Sequence, residues 1–138
     1  MKPALRIILA AQGAYYLLTG AWPFVSMKTF ELVTGPKLEH WLVYTVSLLV
    51  LVIGTSLAAA ARTGEAAMSI KVLALGTGLA FASMDFFYVS VGRISAVYLL
   101  DGAAELAFAL AIVIVLVRER LAKRRVERDQ GSVTLSDG

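Results

Sequence analysis

Between Arg6 and Lys28 stand 21 residues without a charge, and between His40 and Arg62 stand another 21. Each run is close to the roughly 20 apolar residues that carry an α-helix across a bilayer. Backbone in lipid must satisfy its own N–H and C=O groups, which leaves only helices and closed barrels. A barrel's strands would alternate apolar and polar residues, whereas these runs are continuous. Two further stretches match in length: about 67–91, with Lys71 and Asp85, and about 95–117, with Asp101 and Glu105. With spans expected at about 4–24, 41–61, 67–91 and 95–117, residues 1–120 read as an all-α, four-transmembrane-helix bundle. Residues 121–138 read as a tail, basic at first and then polar, aperiodic and disordered.

Composition agrees. Of the 138 residues, 59% are hydrophobic and 17% charged, against about 25% charged in an ordinary globular chain. Ten of the 23 Lys, Arg, Asp and Glu residues follow Val117. A disordered chain, a soluble nucleic-acid binder and a disulfide scaffold are excluded. Without cysteine there is no thiolate nucleophile or Cys-ligated cluster, and His40 alone builds no multi-His metal site. No phosphate-binding or dinucleotide motif occurs. No metal, no cofactor and no nucleic-acid partner is therefore expected.

Lys and Arg in the flanks set the expected orientation. The run Arg118, Arg120, Lys123, Arg124 and Arg125 places the C-terminus in the cytoplasm, and Lys2 and Arg6 place the N-terminus there too. The connection from Pro23 to His40 then faces outward, with a turn at Thr34–Gly35–Pro36 and a short interfacial helix from Ser26 to Val33 presenting Met27, Phe30 and Val33 to lipid. Trp22, Trp41, Tyr44 and Tyr88 gather at the same boundary, as in an aromatic belt. The expected location is the cell inner membrane, crossed several times. Small residues four apart (Gly54/Ala58, Gly76/Ala80, Gly78/Ala82, and Ala103/Ala107/Ala111) suit close helix packing.

The informative residues are Asp85, Asp101 and Glu105. An acid at the centre of a span costs about 2.5–3.5 kcal/mol on insertion scales. Asp85 precedes Arg93 by eight residues and Asp101 follows it by eight, so both lie about 12 Å below that turn on antiparallel helices. Glu105 is one turn deeper on the same face as Asp101, and Tyr98 is one turn shallower. Tyr15, Tyr16 and Thr19 fall at similar levels on the first helix, with Gln12 deeper. The opposite halves, such as 106–117 and 49–61, are almost wholly apolar. This asymmetry predicts an outward-opening ligand pocket built from Asp85, Asp101, Glu105, Tyr98, Tyr15, Tyr16 and Trp41. The competing reading is a set of protonated acids that only hydrogen-bond neighbouring helices.

The segments Gln12–Gly13–Ala14–Tyr15–Tyr16–Leu17–Leu18–Thr19–Gly20 and Phe30–Glu31–Leu32–Val33–Thr34–Gly35–Pro36–Lys37 resemble the DoxX-like group of small four-helix bacterial membrane proteins. That resemblance implies a four-helix layout and, for some members, quinone or thiol redox systems reached through partner subunits. The absence of cysteine stands against a thiol role. The layout is also similar to four-helix sterol-isomerase-like proteins, which keep acids in an outer-facing pocket. The expected function is binding of a small amphipathic molecule, a lipid or a quinone, with membrane lipid around the chain and a second copy or a partner membrane subunit as candidate neighbours. The alternatives are a small proton-coupled transporter using Asp101 and Glu105, or a membrane-embedded isomerase-like enzyme.

Overall fold

The structure, a computed structural model, describes residues 1–136. Helices α1 (Pro3–Thr34), α2 (His40–Thr63), α3 (Met68–Ser90) and α4 (Tyr98–Ser136) follow one another through short connections. The helix α1 packs mainly on α2, and α3 mainly on α4. Thinner α1–α4 and α2–α3 contacts join the two pairs. Three helices are long and apolar enough to cross a membrane: α2, α3 and α4 over Tyr98–Arg128. The helix α1 is more polar, because Gln12, Tyr15, Tyr16, Thr19 and Trp22 interrupt its apolar run.

Small residues let backbones meet where lipid provides little hydrophobic drive between helices. A Cβ on Gly54 would lie 3.0 Å from the Gly13 carbonyl oxygen, and one on Gly78 would lie 3.2 Å from that of Glu105. Two of the expected seams lie elsewhere. Gly76 has open space beside it, and Ala80, Ala103 and Ala107 are exposed. The buried stripe of α3 is Ala74, Gly78, Ala82 and Asp85, and that of α4 includes Gly102, Glu105, Ala109 and Ile112. Helix phase, set by the acids turning inward, selects among equally spaced small residues.

The end of the bundle carrying the α2–α3 connection is closed by an apolar core of Leu5, Leu9, Leu57, Ala61, Ala74 and Ile112. There the Arg6 Nε donates to the Ala61 carbonyl at 2.7 Å, satisfying one of the acceptors that a helix C-terminus leaves unpaired.

The helix α1 carries Pro23, whose ring removes an N–H, and is interrupted three residues further on. Ser26 is non-helical (φ −159°, ψ 96°), and its Oγ accepts from the Thr29 N–H at 3.2 Å, capping the piece that follows. The short terminal helix expected from Ser26 is therefore present, but Phe30 turns inward rather than to lipid. At the other end, α4 continues through the basic stretch to Ser136, where the sequence pointed to an irregular tail from Asp129. Arg, Lys, Leu, Ala and Glu are good helix formers, and Glu119/Lys123 and Lys123/Glu127 have the spacing of helical ion pairs. Asp137 and Gly138 lie outside the described residues.

Candidate functional site

A cavity of about 370 Å³ occupies the half of the bundle nearer the α1–α2 and α3–α4 connections. All four helices line it, and its size falls in the range of about 300–1,000 Å³ typical of small-molecule pockets. The helix α2 contributes an apolar wall of Leu42, Val43, Val46 and Val50 with Ser47 among them, a stripe at three- and four-residue spacing. Facing it are the three acids with Tyr15, Tyr16 and Tyr98.

Each acid is held differently. Glu105 is 1% exposed, and its Oε2 accepts from the Tyr16 hydroxyl at 2.7 Å. Tyr16 in turn accepts from the Gln12 Nε2 at 3.1 Å, and the same nitrogen donates to the Ala74 carbonyl at 2.9 Å. A buried chain thus runs from α3 through α1 to α4. Asp101 accepts from the Tyr15 hydroxyl through its Oδ1. Asp85 is 6% exposed, and its Oδ2 has no hydrogen-bond partner among the described residues. Its carboxyl neighbours that of Asp101 across the α3–α4 hairpin. Gly102 permits this approach, because a Cβ there would lie 3.2 Å from the Cβ of Asp85.

The cavity rim is built by the α1–α2 connection. Gly35 adopts φ 88°, a left-handed value that costs glycine least, and its N–H donates to the Glu31 carbonyl at 2.8 Å. The reversal lays Lys37 over the cavity mouth, with its Nζ 5.1 Å from the centroid of Tyr98 and 5.9 Å from that of Phe30. One Glu31 oxygen accepts from both the Lys37 N–H and the His40 Nε2, each at 2.8 Å. The Lys37 N–H bond first, and then that to His40, holds the Glu31 carboxyl below the ordinary Glu range.

Six of the seven residues expected from sequence line this cavity: Tyr15, Tyr16, Asp85, Tyr98, Asp101 and Glu105. Trp41 does not. It is 63% exposed, and its indole N–H donates to the Glu39 carboxylate at 2.8 Å. Its place on the helix explains this: the cavity stripe of α2 begins at Leu42, and position 41 belongs to the outer face. Phe30, Lys37 and Phe81 line the cavity and were missed. Phe81 had a signal, since it precedes Asp85 by four residues on one face of α3. Among the described residues no His, Cys, Asp or Glu side chains converge as a metal-binding group. The chain matches no family model, no curated protein and no solved structure.

Proposed function

We propose that this is a multi-pass inner-membrane protein that binds a small amphipathic molecule, such as a lipid or quinone-like ligand, in the acid-lined cavity. In this reading α1 is the fourth span, both termini are cytoplasmic and the cavity opens outward. The distribution of Lys and Arg supports the orientation, and the inward-turned polar residues of α1 account for its modest hydropathy. Cysteines introduced at Lys28 and Gly131 test it: a membrane-impermeant thiol reagent should label only the former in intact cells, and the reverse pattern contradicts it.

The observation that carries the binding role is the Asp85 carboxyl. Asp101 and Glu105 each have a tyrosine donor, whereas the buried Asp85 Oδ2, in the wall of the same cavity and beside the Asp101 carboxyl, has no partner among the described residues. A buried acceptor without a partner costs about 1–3 kcal/mol, and a ligand N–H or O–H would satisfy it. The ligand chemistry is therefore an apolar body ending in an amine or hydroxyl. The packed layer of Leu5, Leu9, Leu57 and Ile112 between the cavity and the other end supports binding over proton-coupled passage. Affinity with the DoxX-like group is also proposed, and here both segments that carry the likeness line the cavity, through Tyr15, Tyr16, Thr19, Phe30 and Lys37.

The test is solvent extraction and mass spectrometry of small molecules that co-purify with wild type and with Asp85→Asn, Asp101→Asn and Glu105→Gln, alongside thermal stability. Asp85→Asn should stay folded and lose the retained compound. If all three variants stay folded and keep the wild-type complement, the acids are structural.

A further inference from the structure

A second amphipathic site lies at the opposite end of the molecule. There a cleft of about 390 Å³ opens between the start of α3 and the middle of α4. Its floor is apolar, made of Met68, Val113, Leu116 and Val117, and its rim carries Lys71, Arg120 and Lys123 with Glu119. The first turn of α3 faces the same cleft through Met68. Its N-cap residue, Ala67, makes no side-chain cap; the Ile70 and Lys71 N–H groups donate to the Ala67 carbonyl at 3.1 and 3.3 Å, and the helix dipole leaves this end positive. Three cations and a helix N-terminus thus surround the top of a hydrocarbon-lined groove, against one carboxylate.

We propose that this cleft is a binding site for an anionic phospholipid. The phosphate would sit among Lys71, Arg120, Lys123 and the α3 N-terminus, with an acyl chain along Val113, Leu116 and Val117. Charge complementarity selects the occupant. An apolar groove on a membrane helix accepts any acyl chain, but only a negatively charged headgroup offsets three cations at the water boundary. The site differs from diffuse attraction to the tail. Arg124, Arg125 and Arg128 are equally basic and exposed, yet none of them lines the cleft.

Native mass spectrometry of the purified full chain, supplied with phosphatidylglycerol or phosphatidylcholine, tests the proposal. Wild type should retain phosphatidylglycerol at least several-fold better than phosphatidylcholine. Lys71→Gln with Arg120→Gln should abolish that preference, and the tail triple variant Arg124→Gln, Arg125→Gln, Arg128→Gln should keep it. Glu119→Gln removes the opposing carboxylate and should raise retention about two-fold or more, a gain that misfolding does not imitate. Equal loss in the cleft and tail variants, or no gain from Glu119→Gln, overturns the site in favour of general surface attraction.

Discussion

The closest approach in the bundle makes a quantitative prediction. A methyl added at Gly54 would lie 2.9 Å from the Tyr16 Cβ, 3.0 Å from the Gly13 carbonyl oxygen and 3.1 Å from the Leu17 nitrogen. Two of those atoms are α1 backbone, so no side-chain rotation relieves the contact and the helices must separate. Overpacking of this kind costs about 1–3 kcal/mol. Replacing a mid-helix glycine by alanine also gains about 1 kcal/mol of helix propensity. Gly76→Ala collects that gain alone, because nothing lies within 4 Å of its added methyl. The difference between Gly54→Ala and Gly76→Ala therefore isolates the steric cost, expected at about 1–3 kcal/mol. Gly13→Ala opens the same seam, with its methyl 2.9 Å from the Ala58 nitrogen. Once one methyl has parted the helices a second costs less, so the double variant should fall short of the sum of the singles. Reversible unfolding in mixed micelles, followed by circular dichroism, measures wild type and the four variants. Equal stability of Gly54→Ala and Gly76→Ala, or strictly additive losses at Gly13 and Gly54, would refute the close α1–α2 seam.

Tyr16→Phe removes the donor to Glu105 and the acceptor for Gln12, both buried, and should cost about 1–3 kcal/mol in the same assay, more than Tyr15→Phe at its part-buried bond to Asp101. A loss from Tyr15→Phe as large as that from Tyr16→Phe argues against the ranking by burial. At Glu31 the folded carboxyl titrates below its ordinary value of 4.5, so its bonds are intact above that value and are lost as pH falls through the lowered one. The Lys37 amide, which donates to it, should report that acid-shifted step by nuclear magnetic resonance, and Glu31→Gln should erase it. A midpoint at or above 4.5 contradicts the assignment.

The sequence displayed the helices and the acid cluster because both follow from one-dimensional spacing. The uncharged run 41–61 and the mostly apolar stretches 67–91 and 95–117 correspond to α2, α3 and α4, and the equal offsets of Asp85 and Asp101 from Arg93 set their common level. What sequence hid was mostly rotation and backbone reversal. Trp41 and Leu42 are adjacent in the chain, yet 100° of helical rotation sends one outward and the other into the cavity. Lys37 and Phe30 reach the rim because α1 is interrupted at Ser26 and Gly35 takes a left-handed turn. Hydropathy is blind to both. The continuation of α4 to Ser136 carries no such signal, because lack of an apolar period marks no buried face but does not prevent a helix.

The central claim is that Asp85 accepts a hydrogen bond from an amphipathic ligand. Calorimetric titration of the purified protein with dodecylamine, dodecanol and dodecanoate tests it most directly, with Asp85→Leu as the paired variant. The account predicts saturable binding of the amine and the alcohol but not of the carboxylate. It also predicts loss of that binding in Asp85→Leu, whose stability should equal or exceed that of wild type because it removes an unpartnered buried acceptor. Indistinguishable isotherms for the three probes, or unchanged binding by a folded Asp85→Leu protein, would contradict it.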